Sequence, residues 1–213
     1  MQTTSINERF TDMKSYVISR VDTTPAWSDI PYLEIDNERR ENPNGITARG
    51  QICYSDDALL VHLETKEKGY IANEVELLGS PCRDSCLEFF FCPCEGDGRY
   101  FNIEFNSNGC LYLGFGSGIG DLVRLIPDKE KADIFEQNIA KHNDGWEIFY
   151  RISYGFIRRF FPDFNAYSGK RIIANCYKCA DRSEPPHYLT WSWLDGAPLG
   201  FHNTKCFGEM IFE

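Results

Sequence analysis

Apolar and polar residues alternate in short runs along nearly the whole chain: YVISRV, ITARGQICYS, ALLVHLET, CLEFFFCP, YFNIEFNSNGCLYLGFG, WEIFYRIS, RIIANCYKC, HYLTWSW and EMIFE. A period of two suits a strand with two unlike faces and does not suit a helix. The runs are rich in β-branched and aromatic residues and are separated by Gly, Asn, Asp and Pro. This pattern predicts an all-β chain, specifically an antiparallel β-sandwich of jelly-roll type with one or two short helices. Two junctions have the chemistry of tight reversals: SDDA at 55–58 and NSNG at 106–109. For helices, DKEKADIFEQNIAK (128–141) repeats its apolar residues at spacings of three and four, and GFIRRFF (155–161) offers one further turn before Pro162. No repeat or long linker divides residues 1–213, so one domain is expected. The 42% of hydrophobic residues is enough to fill its core.

Charge and targeting signals narrow the partners. The net charge of −10 has no basic stripe to offset it, which argues against nucleic acid and against an anionic membrane surface. The first residues, MQTTSINERFTDMKSYVISRV, lack the basic start and apolar stretch of a secretory leader, and no run is long enough to span a bilayer. As written, the chain reads as cytoplasmic; a removed leader would make it extracytoplasmic. Nothing in the sequence marks an oligomer interface. The nine cysteines are odd in number and point to reduced thiols packed in the core. Cys176 and Cys179 of CYKC would face opposite ways on a strand, so their spacing does not make a metal site.

Strand parity singles out two glutamates. In CLEFFFC, Leu87, Phe89 and Phe91 share one face, and Cys86, Glu88, Phe90 and Cys92 share the other. In YFNIEFN, the apolar Phe101, Ile103 and Phe105 lie opposite Asn102, Glu104 and Asn106. A hairpin through PCEGDG would bring Glu88, Asn102 and Glu104 together. In RIIANCYKC, Ile172, Ala174 and Cys176 pack inward and leave Ile173, Asn175 and Tyr177 on the far side. A face of carboxylates, amides, a phenol and rings suits a sugar. The competing explanation is an ordinary solvated outer face.

Taken together, PAW (25–27), DDALLVHL (56–63), DSCLEFFFCP (84–93), YFNIEFNSNGCLYLGFG (100–116), ANCYKC with PHYLTW (174–191) and FHNTKCFGEMIF (201–212) resemble the family 9 carbohydrate-binding modules. The likeness is nearer still to single-domain, family-9-like bacterial proteins. It implies an antiparallel β-sandwich whose concave site grips a terminal sugar between two tryptophans. A glutamate, an arginine and amides hold the hydroxyls, and calcium serves the structure. Glu88 matches the family's glutamate, and Asn102 stands at the arginine position. Phe201 matches the second tryptophan and Cys82 the first.

The remaining candidates come from the residues themselves. Trp193 and His202 join the ligand set as a ring and a donor, while Trp27 and Trp146 look like core, and Trp191 divides between core and platform. Carboxylates in SDD (55–57) and EGDG (95–98) could serve calcium but are also ordinary turn residues. Three functions stay open. One is non-catalytic binding of a mono- or oligosaccharide by Glu88, Asn102, Glu104, Asn175, Tyr177, Trp193, Phe201 and His202. The second is glycoside processing with Glu88 and Glu104 as acid and base. The third is an interaction module whose sugar site has decayed.

Overall fold

The computed structural model describes residues 13–76, 78–127, 134–195, 197 and 200–213. It is almost entirely β. The strands are β1 (Ser15–Arg20), β2 (Leu33–Ile35), β3 (Asn37–Glu38), β4 (Thr47–Tyr54), β5 (Ala58–Lys66), β6 (Cys86–Cys92) and β7 (Tyr100–Asn106). They continue as β8 (Leu111–Gly116), β9 (Val123–Arg124), β10 (Asn138–His142), β11 (Gly145–Ser153), β12 (Arg171–Ala180), β13 (His187–Thr190) and β14 (Gly208–Phe212). Among the described residues the one α-helix is α1 (Tyr154–Arg158), whose N-cap Ser153 accepts a hydrogen bond from the Phe156 amide. It is the turn expected in GFIRRFF. No helix among the described residues is long and apolar enough to cross a membrane.

The strands run β10-β11-β5-β4-β1-β14-β12-β6-β7-β8-β9, with β2 on β4, β13 on β12 and β3 on β13. β1 joins the two layers. Ser15–Ile18 pair with β14, and Ser19 and Arg20 pair with β4. Both pairings are parallel and every other is antiparallel, so the sheet is mixed where pure antiparallel pairing was expected. The expected sandwich and its hairpins are otherwise present. β4 and β5 reverse at 55–57, β7 and β8 at 107–110, and β6 pairs with β7 across a turn in which Gly96 (φ +79) and Gly98 (φ +81) take the left-handed conformation.

Between the layers lies one continuous core. Leu87, Phe89 and Phe91 of β6, Phe101, Ile103 and Phe105 of β7, and Ile172, Ala174 and Cys176 of β12 all enter it, as strand parity required. The helix expected over 128–141 is corrected in part. Residues 128–133 lie outside the described set, and Asn138–His142 form an edge strand against β11. The apolar spacing there imitates a helix, but the Asn143-Asp144-Gly145 reversal that follows closes a hairpin, and pairing satisfies the backbone. HYLTWSW is strand only as far as Thr190. Trp191 leaves the sheet to pack over Gly208, where an added Cβ would lie 2.6 Å from the ring.

Candidate functional site

The face of β6, β7 and β12 opposite the core is not a wet surface. Glu88 is 2% exposed and Glu104 7%, while Asn102, Asn175 and Tyr177 are fully buried. A second apolar cluster of Phe90, Cys92, Tyr100, Tyr177 and Phe207 covers part of this face. The solvated-face explanation therefore fails. Burying carboxylates costs free energy unless their surroundings compensate, which makes this the most chemically loaded region of the sheet.

Strand register builds the site. Glu88 is the direct cross-strand partner of Glu104 on one side and of Tyr177 on the other. One step along, Cys86 faces Cys179. The Cys179 thiol donates to Glu88 Oε1 at 2.9 Å. Burial, then the neighbouring Glu104, push the Glu88 carboxyl well above the usual carboxylate range, against the pull of the Cys179 hydrogen bond. Burial also raises Glu104, to about 7, although Asn102 and Arg124 favour its ionised form. Both carboxyls are thus biased toward their protonated forms, Glu88 the more strongly. The pair offers hydroxyl groups both donors and acceptors.

These two carboxyls form the floor of a cleft of about 310 Å³. Arg40, Cys82, Cys179, Asp181, Tyr188, Gly200, Phe201 and His202 complete its lining. The Phe201 ring stacks on Tyr177 at 4.1 Å, and the Tyr177 hydroxyl donates to the Phe201 carbonyl at 2.8 Å. One face of Phe201 is therefore braced. Tyr188 meets Phe201 edge-on at 6.1 Å and carries the Arg40 guanidinium over its ring at 4.9 Å. Tyr100 and His202 Nδ1 are joined by a 2.7 Å hydrogen bond, and burial lowers the imidazole's pKa.

The sequence-derived ligand set divides in two. Glu88, Glu104, Phe201 and His202 line the cleft. Tyr177 lies beneath and supports Phe201. Asn102 is buried beside Glu104, with neither its side-chain oxygen nor its nitrogen in hydrogen-bond geometry with a described residue. Asn175 is committed to the chain itself: its Nδ2 donates to the Ser192 and Cys206 carbonyls, and its Oδ1 accepts from the Cys176 and Ser192 amides. It pins the segment that carries Phe201. Trp193 is not among the residues lining this cleft and stacks under Arg39 at 4.2 Å. Sequence reasoning missed Arg40, Asp181 and Tyr188. Only Tyr188 left a signal there, by its outward parity between the buried His187 and Leu189.

A larger cleft, of about 500 Å³, opens elsewhere beside Glu67 and His187. Of its three acids the buried one, Glu67, already has a counter-ion, because the fully buried Lys178 ammonium lies 3.0 Å from it and donates to the Cys179 carbonyl at 2.8 Å. Three of the turn carboxylates considered for calcium are likewise engaged. Asp56 pairs with Arg20, Asp57 with Arg151 and Asp97 with Arg99. Nearby, Asp84 Oδ2 alone accepts from the N–H donors of Asn73, Glu74 and Asn106. Salt bridges thus occupy Asp56, Asp57 and Asp97, while Asp84 Oδ1 is buried without a hydrogen-bond partner among the described residues.

The family model described as carbohydrate-binding family 9 matches residues 28–212. Among solved structures, a candidate carbohydrate-binding protein from Bacteroides uniformis is 24% identical, with a TM-score of 0.79 over 95% of this chain and 100% of that one. A family 9 carbohydrate-binding module from Caldicellulosiruptor kristjanssonii in complex with cellotriose gives 13% identity and a TM-score of 0.66, covering 94% of both chains. The same comparison with a glucose complex gives 13% and 0.66, over 94% of this chain and 96% of that one. At these identities the structures establish a common fold. A comparison with curated proteins finds no match.

Proposed function

The chain belongs to carbohydrate-binding family 9, and on that premise we propose that it holds a mono- or oligosaccharide, without converting it, in the cleft over Glu88 and Glu104. The observation that carries this reading is the meeting of two cross-strand carboxyls, a guanidinium and a braced ring in one open cleft. Sugar hydroxyls both donate and accept, and the C–H face of a pyranose packs on an aromatic ring; each requirement has a counterpart here. The volume lies at the small end for ligand sites and suits the end of a sugar chain. The glucose and cellotriose complexes of the Caldicellulosiruptor modules support a glucose-type ring as the first ligand to try.

The grip is one-sided. Tyr177 occupies one face of Phe201, and Cys82 stands where the resemblance puts a tryptophan. Losing one stacking ring removes roughly 0.5–1.5 kcal/mol beyond its area, so binding should be about two- to ten-fold weaker than in a two-ring clamp.

Calorimetric titration with glucose, cello-oligosaccharides and a panel of other sugars tests the reading. None of the four tryptophans is among the cleft-lining residues, so heat is a better probe than tryptophan emission. Saturable binding that weakens in Glu88→Gln is the expected result, and flat traces across the panel would sink it. Turnover of an aryl glycoside, lost in Glu104→Gln, would replace binding with acid–base catalysis by the same pair.

A further inference from the structure

Two thiols at the cleft, Cys179 in its lining and Cys86 beside it, have no use in sugar binding. Cys86 of β6 and Cys179 of β12 are cross-strand partners, and Glu88, two residues beyond Cys86, projects from the same face. One donor atom from each of the three lies within 4.8 Å of the others. All three side chains are buried. An ion with bonds of about 2.3 Å to sulfur and about 2.0–2.2 Å to a carboxylate oxygen needs its ligands roughly 3.4–3.8 Å apart, so side-chain rotations suffice to close the set.

We propose that Cys86, Glu88 and Cys179 form a binding site for a thiophilic divalent cation of the zinc class, with its fourth position open to the cleft that Cys82 lines. Two sulfurs and one carboxylate select against calcium and magnesium, which take oxygen. The arrangement differs from that of the neighbouring core thiol. Cys176, three residues before Cys179, faces the apolar core with no carboxylate beside it. The cation supplies the charge that lets two thiolates persist in apolar surroundings, where burial otherwise disfavours the Cys86 thiolate, and the hydrogen bond with Cys86, then burial, that of Cys179. The second convergent group, His62, Glu64 and Glu147, is already committed: His62 bonds Gln51 and Glu147, and Arg49 pairs with Glu64. Cation binding here does not depend on sugar binding.

Cobalt(II) titrated into the full, reduced, demetallated chain without sugar tests the site. The expected result is a thiolate-to-cobalt charge-transfer band with tetrahedral visible bands, saturating at one equivalent and bleached by zinc. The band should vanish in Cys179→Ala and survive in Cys53→Ala, a buried thiol elsewhere. Should Cys179→Ala fail to fold, the wild type alone decides by proton release, with about three protons expected per zinc in calorimetry across buffers, two from the thiols and one from the Glu88 carboxyl. Cobalt bound without a charge-transfer band, a band unchanged by Cys179→Ala, zinc uptake without proton release, or no saturable uptake would each overturn the site.

Discussion

Glu104 and Glu88 face each other across two strands in surroundings that disfavour charge, and the consequence is measurable at single residues. The folded-state pKa of Glu104 is raised by burial to about 7 from an ordinary 4.5. Between those values the folded chain holds a proton that the unfolded chain has released. Stability therefore falls as pH rises through that window, and the cost is complete above the folded pKa. Glu104→Gln cannot ionise. Its stability relative to wild type should rise between about pH 5 and about pH 8 by on the order of 3 kcal/mol, measured by denaturant unfolding in EDTA. Parallel curves for the two proteins would contradict this.

At the scale of elements, β12 does more than complete the sheet. Its outer face carries Asn175, Tyr177 and Cys179, while Lys178 turns inward at the edge of the core to Glu67 and His187. Burial and the adjacent ammonium lower His187 to about 4, so this imidazole is neutral and cannot replace the cation. Lys178→Met should leave Glu67 buried without its counter-ion and cost about 3–5 kcal/mol in chemical denaturation. A loss below about 1 kcal/mol would show that the pair is dispensable. The sequence revealed these elements unevenly. Parity in CLEFFFC, YFNIEFN and RIIANCYKC exposed the two faces of the sheet, because each strand buries a pure apolar row. What covers the second face was not legible, since Phe201 and Phe207 arrive in a loop from far along the chain. Asn175 looked like a ligand residue because parity cannot tell an amide that meets solvent from one that binds backbone. The Cys86–Cys179 pairing was hidden for a related reason: local spacing drew attention to Cys176 and Cys179, which face opposite ways, whereas register between distant strands made the pair.

For the whole molecule, the parallel hook of β1 onto both β14 and β4 ties the two layers through a strand near the start of the described chain. The core cluster runs through strands of both layers without a break. One cooperative unfolding unit is the expected consequence, with near-ultraviolet dichroism and tryptophan emission giving coincident transitions. Two separated transitions would mean that the layers fold as distinct units. The same architecture makes the cleft a rigid platform, because its floor comes from three adjacent strands and its braced ring rests on one of them. The central claim is that this cleft, and not the Trp193 surface, holds the sugar. Calorimetric titration of Phe201→Ala beside Trp193→Ala, with the sugar that binds wild type best, tests it most directly. The account predicts affinity about two- to ten-fold weaker or worse for Phe201→Ala and unchanged for Trp193→Ala; the reverse pattern would contradict it.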